Sequence, residues 1–430
     1  FAPYGDYHAV HPSKNKGQRL LTQGVKACGG FILSLSVLSM VHMVVYSPAY
    51  TFPETAPFSG PVWYNPYQKL DGSDWQLGNF QIQSEVWGGI TNGRNNTPQR
   101  IFDVYSELGY DIITISDYMS INRFTTPDRP LIRVYEHGYG AFKTHQVCLG
   151  SESVVALDYP LLQSRHNKQH ILRRLSNSSG AVAIAHPSLR KAYSLEDMAL
   201  LTDYHLVEAS SKFRMSMPHW DATLSAGKPV FILSNDDAHD LDKPWEYGRN
   251  ATMVHTASLQ EEDVIDALVT GKAYAFLPGT GENATHEEKV AHLSERSELR
   301  SCKIRGDSLW IEASLPILEA RFIGQNGDTL ITQAWQQGTQ RAGFALKPEH
   351  TYVRAEMELT NGDAYMLNPV FRTEHGVPPV PAVAAVNLRL TRTIRIGFGL
   401  CLLFAVLLIG RKRRIRLGLG RRKTVIHASA

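Results

Sequence analysis

The sequence predicts an α/β fold, a parallel sheet or barrel, followed by a small all-β sandwich domain and flanked by two membrane-spanning helices. Three observations carry this. Across residues 78–285, short apolar runs at 112–116, 181–185, 205–209 and 229–234 alternate with helix-like stretches at 98–108, 169–176, 194–201 and 259–270. That alternation is the mark of βαβ units. From 286 to 375 the texture changes to strand-like runs at 309–314, 320–324, 329–332, 351–359 and 364–367, with Asn-Gly turns at Asn326 and Asn361. Finally, an apolar run stands near each end of the chain, at 27–46 and 396–410.

Residues 27–46 contain no Asp, Glu, Lys or Arg; about 1.5 Å per residue makes this roughly 30 Å of helix, the thickness of a bilayer's hydrocarbon. Lys14, Lys16, Arg19 and Lys26 precede the run, and no basic residue follows until Lys69. Positive charge on the near side places residues 1–26 in the cytoplasm and the following segment outside. A cleaved signal peptide is the alternative. Residues 47–77, rich in Pro, Tyr and Gly, read as an irregular lead-in. After a proline-bearing linker at 376–395, the 396–410 run spans only about 22 Å as helix, so it crosses with snorkelling Arg side chains or lies in the interface. The tail at 411–430 holds eight basic residues between Arg411 and Lys423, which places it in the cytoplasm against anionic lipid. The main domain is therefore extracytoplasmic, periplasmic in a bacterium, with both termini inside. A short second span would suit packing against integral-membrane partner subunits.

The formal net charge of +3 is concentrated in that tail. The remainder is mildly acidic, which argues against a nucleic-acid-binding surface. Cys28, Cys148, Cys302 and Cys401 have no C-x-x-C spacing; they read as ordinary apolar cysteines, with a Cys148–Cys302 bridge left open. Asn95, Asn177, Asn250 and Asn283 match Asn-x-Ser/Thr, which matters only in a host that glycosylates.

Acidic and imidazole groups recur at strand ends. Asp117 follows 112–116, His186-Pro187 follows 181–185, Glu208 closes 205–209, and Asp237-Ala-His239 follows 229–234; Glu136 and His145 lie upstream. Strand C-termini in such folds collect functional groups. Carboxylate plus imidazole suits zinc, manganese or iron, and metal-activated water is a hydrolytic nucleophile.

The order and flanks of these groups resemble the PHP (polymerase and histidinol phosphatase) superfamily, especially its carbaryl-hydrolase-like branch. The resemblance implies a distorted (β/α)7 barrel with a trinuclear metal site. The family's bridging Glu, middle His, His-Pro and Asp-x-His fall on Glu136, His145, His186 and the Asp237/His239 pair. Where the family has His-x-His, this chain has Gln81-Ile-Gln83, and Ser116-Asp117-Tyr118 stands for Thr-Asp-His. By this mapping two metals lose ligands. The third keeps Glu136, His145 and His186, three ligands plus water being the arrangement of a catalytic zinc site. Asp117, Asp237 and His239 are further candidate ligands, and Asp237 and His239 the candidate acid/base groups. His137 and Glu152 compete with Glu136 for the bridging place, and Glu208 reads as support for a strand end. Two functions follow: a pseudoenzyme serving as accessory subunit of a membrane complex, which the lost histidines favour, or a mononuclear hydrolase of phosphoesters or carboxyl esters.

Overall fold

The computed structural model describes residues 16–89, 95–211 and 214–424. The first residues of the N-terminal segment, Lys14 among them, and the last six of the basic tail lie outside these. Two compact units are present: Phe1–Ser47 with Ile394–Ala430, and Pro48–Thr393.

The first unit is helical. Lys16–Tyr46 is one helix, and Leu388–Thr424 is another that begins just before the unit. Their apolar stretches, Leu20–Tyr46 and Leu388–Lys412, are long and apolar enough to cross a membrane and pack no part of their central windows inside the protein. The second is thus longer than the fifteen-residue apolar run alone, because Leu388, Leu390 and Ile394 extend the helix past the arginines that interrupt the run.

The second unit is mixed α/β. One sheet of six strands runs Phe231–Asn235, Leu206–Ser211, Ala181–Ile184, Gln146–Leu149, Val134–His137, with Arg214–Met215 on Leu206–Ser211. Its first two pairings are parallel and the next two antiparallel. Residues 138–145 are too short for a helical crossover, so Val134–His137 and Gln146–Leu149 form a hairpin. Helices Arg165–Ser176, Leu195–Leu200 and Met217–Ser225 connect the remaining strands. Ser164 and Ser194 open the first two with reciprocal capping boxes, each cap being worth about 1 kcal/mol.

A second sheet pairs only Tyr50–Thr51 with Ala385–Val386, and a third has eleven strands. Its path is Leu299–Arg305, Ser308–Ile323, Tyr352–Leu359, Ala364–Leu367, Ala273–Leu277, Ala251–His255, Trp75–Asn79, Ile112–Ile113. Thr329–Ala345 lines one edge, turning at Asn326 with φ 62°. The 286–375 strands therefore continue the hydrogen bonding of the segment before them, through Ala273–Leu277 on Ala364–Leu367. A buried cluster follows this path, from Tyr105 and Leu77 through Tyr274 and Tyr365 to Ile311 and Phe322. The Arg354 guanidinium makes two 2.7 Å bonds to the Asp221 carboxylate, both groups being almost fully buried.

The closed (β/α)7 barrel expected from the sequence is not found among the described residues. The two larger sheets touch through single parallel bridges, Ile82 with Ala238 and Tyr118 with Glu136. Ile112–Ile113 is only two residues long, so that sheet edge carries little backbone for further pairing. All four cysteines are free, Cys148 and Cys302 buried and Cys28 and Cys401 exposed.

Candidate metal centre

The two inter-sheet bridges stand where the strand-end groups gather. Glu136 sits on Val134–His137, and because side chains alternate along a strand, Glu136 and His137 face opposite ways. His137 is engaged with Gln146 Oε1 at 2.8 Å and the Leu157 carbonyl at 2.9 Å, and Glu152 is exposed. Glu136 is the carboxylate that enters the site. Tyr118, bridged to it, carries its phenol toward His239 Nε2 at 3.5 Å.

His145 immediately precedes Gln146–Leu149, its carbonyl accepting from Ala185 N at 3.2 Å. Gly138, at φ 122°, makes room for it: a Cβ there would stand 2.8 Å from the imidazole Cδ2. His186 follows Ala181–Ile184 with φ 28°, a left-handed conformation that costs a non-glycine about 1–3 kcal/mol. Its backbone N donates to Glu208 Oε2 at 3.0 Å, while Glu208 Oε1 accepts from Asn235 Nδ2 at 2.9 Å. Glu208 thus braces the turn that presents His186. Asp237 is also left-handed, at φ 50°.

Glu136, His145 and His186 each bring one ligand-type atom to within 4.8 Å of the others, all three side chains buried. Glu136 Oε1 lies 2.5 Å from His145 Nδ1 and 3.5 Å from His186 Nε2. Neither Glu136 Oε1 nor His145 Nδ1 makes a hydrogen bond of normal geometry. Buried polar atoms are nearly always satisfied, so donors crowded this way fit a cation held among them. Glu136 Oε2 is satisfied differently, by Gln83 Nε2 at 2.7 Å.

Burial alone would raise the Glu136 carboxyl, but the His145 and His186 imidazoles outweigh it and hold it well below the usual carboxylate range. Burial keeps the His145 imidazole below its ordinary value, Glu136 opposing. For His186 burial pulls the same way, yet Glu136 and Asp237 prevail and raise it. Glu208 is pushed up to about 8, chiefly by burial, with Asn235 opposing and the Glu136 charge adding.

Asp237 Oδ2 lies 4.0 Å from His186 Nε2, and its Oδ1 3.6 Å from His239 Nδ1; Nδ1 itself is 2.8 Å from the Asp237 carbonyl. Both residues stand at the rim of the triad rather than in it. Asp117 is turned elsewhere: its carboxylate accepts from Ser84 N and Oγ and from Asn122 Nδ2 at 2.8–2.9 Å. Gln81 is fully buried with neither amide atom hydrogen-bonded.

Beside the triad opens a cavity of about 730 Å³ whose lining includes His145, Tyr118 and His239. Sequence reasoning missed its other walls, among them Trp87, Tyr139 and Lys143. Trp87 opens a three-residue 3-10 turn and Tyr139 and Lys143 lie on irregular loops, so no periodicity marks them.

No family model matches the chain, and no curated protein matches it. Among solved structures it is similar to a two-domain protein containing a predicted PHP-like metal-dependent phosphoesterase from Bacteroides vulgatus, at 14% identity, over 78% of this chain and 99% of that one, with a TM-score of 0.33. Overlap that slight leaves the reading of the site to its own geometry.

Proposed function

We propose that this chain is a membrane-tethered, PHP-like protein that holds one divalent transition metal at Glu136, His145 and His186 and hydrolyses an ester beside it. The observation that carries the reading is the convergence of three buried ligand-type atoms on or beside three separate strands, two of which, Glu136 Oε1 and His145 Nδ1, find no hydrogen bond of normal geometry. One carboxylate and two imidazoles, with room for water, suit zinc, manganese or iron. Such a metal, when bound, supplies Lewis-acid activation of water and of the ester oxygen. Water oxygen bonds to the ester's phosphorus or carbonyl carbon as the bond to the leaving oxygen breaks. His239, its Nδ1 against the Asp237 carbonyl, takes the water proton on Nε2 and returns it to the leaving oxygen, and the Asp237 carboxylate steadies the charged imidazole. Asp117 takes no part in this scheme.

The helices Lys16–Tyr46 and Leu388–Thr424 support a tether at each end, and the flanking basic residues support an extracytoplasmic catalytic unit with cytoplasmic termini. The test is turnover of p-nitrophenyl phosphate and p-nitrophenyl acetate by the full chain loaded with zinc or manganese. His239→Ala should keep the metal and lose at least 100-fold in kcat. Turnover unchanged in His239→Ala refutes the assigned role.

A second reading, a non-catalytic accessory subunit, is favoured by the Gln81, Gln83 and Tyr118 substitutions and by the Gln83–Glu136 bond, which occupies the carboxylate oxygen a second metal would need. It requires a larger assembly in mild detergent and no turnover of either ester.

A further inference from the structure

The cavity beside the triad is walled by aromatic and aliphatic groups and contains a lysine. Trp87 is 57% exposed and Tyr139 53%, yet their polar atoms are tied down: Trp87 Nε1 donates to the Tyr118 carbonyl at 2.7 Å, and the Tyr139 hydroxyl to the Asp158 carbonyl at 3.2 Å. Met119 Sδ accepts from Gly138 N at 3.3 Å. With their polar ends satisfied by backbone, these side chains offer apolar surface held in place, so a ligand's apolar body meets walls that lose little freedom on binding. Val154 and Ala156 complete the apolar side. Lys143 is the cation of the lining; its ammonium stands 5.4 Å from the Tyr118 ring centroid, and among the described residues no carboxylate pairs with it. A cation without a counter-ion in a mostly apolar pocket is a seat for an anion.

We propose that this cavity binds a small amphiphilic phosphoester, its anionic head between Lys143 and the triad and its flat apolar body against Trp87, Tyr139 and Met119. The volume is in the range that holds a small molecule and leaves no room for a folded partner. Assigning the ligand as substrate rests on the hydrolase reading; its binding does not.

The experiment is calorimetric titration of the full chain, in nanodiscs of zwitterionic phospholipid, with phenylphosphonate, methylphosphonate and neutral benzyl alcohol. Neither phosphonate has an ester bond to cleave, so binding is read without turnover. Phenylphosphonate should bind at least tenfold tighter than methylphosphonate and than benzyl alcohol. Lys143→Met should weaken phenylphosphonate at least fivefold without changing benzyl alcohol, and Trp87→Ala should erase most of the phenyl preference. Equal binding of the two phosphonates, or a Lys143→Met variant indistinguishable from wild type, overturns the proposal. Repeating the titration after chelation separates the two readings. A phenyl preference that persists with no dependence on metal keeps the pocket and sinks the metal centre. Loss of the preference with metal dependence intact does the reverse.

Discussion

Glu136→Gln isolates the electrostatic part of the site. Glutamine keeps the shape of glutamate and an oxygen for Gln83 Nε2, but removes the charge from a fully buried position flanked by two imidazoles. Loss of an outer-shell partner costs a metal site about 10–100-fold in affinity; loss of an anionic ligand itself should reach at least the upper end, about 2.7 kcal/mol. Metal at about a hundred times Kd stabilises the wild-type fold by about 2.7 kcal/mol. For a unit of this size each kcal/mol moves Tm by about 2 °C, so saturating zinc should raise the wild-type Tm by about 5 °C. The same zinc concentration should move Glu136→Gln by no more than about 1 °C. Differential scanning fluorimetry with and without chelator reads both, and the chelated samples show whether the substitution leaves the fold intact. A variant that folds and retains the full zinc shift refutes the assignment of Glu136 as a ligand.

Other outcomes follow from particular contacts. Gln83→Ala releases Glu136 Oε2 and should change zinc affinity by about 10–100-fold; an unchanged titration would remove Gln83 from the site. Arg354→Met strands Asp221 buried without its partner and should cost about 3–5 kcal/mol in urea unfolding, while adding Asp221→Leu should recover part of the loss. A loss below about 1 kcal/mol would contradict this. Glu208, held at about 8 when folded and near about 4.3 when unfolded, binds more protons in the native state between those values. In chelated protein its contribution is present below about pH 4.3 and lost as pH rises through about 8. Glu208→Gln should flatten the fall in urea midpoint across that window, and an identical slope in the variant would count against the shift.

The apolar ends and the strand–helix alternation were legible in composition and period. Phe231–Asn235 and Ala181–Ile184 fall within a residue or two of the runs that mark them, because fully buried strands need unbroken apolar side chains. Pairing direction was not legible. Whether Gln146–Leu149 runs parallel or antiparallel depends on the length and path of the loop before it, which periodicity does not encode. The short helix Met217–Ser225 was missed because Pro218 and His219 near its start blur the apolar stripe. At the site, Glu136, His145 and His186 could be chosen by residue type and order, and strand alternation decides Glu136 over His137. Asp117 shows the limit: its place at a strand end matches its neighbours, yet Ser84 and Asn122 from nearby loops take its oxygens. Loop-to-loop hydrogen bonds of this kind have no signature in a single sequence, and Trp87, tied to the Tyr118 carbonyl, was hidden for the same reason.

The most direct measurement is the metal content of the purified full chain by elemental analysis after growth in zinc, manganese and iron. Near one transition-metal ion per chain is expected, falling to near zero in His186→Ala while that variant remains folded by circular dichroism. Wild-type protein that carries no stoichiometric metal, or a His186→Ala variant that keeps it, would contradict a cation bound among Glu136, His145 and His186.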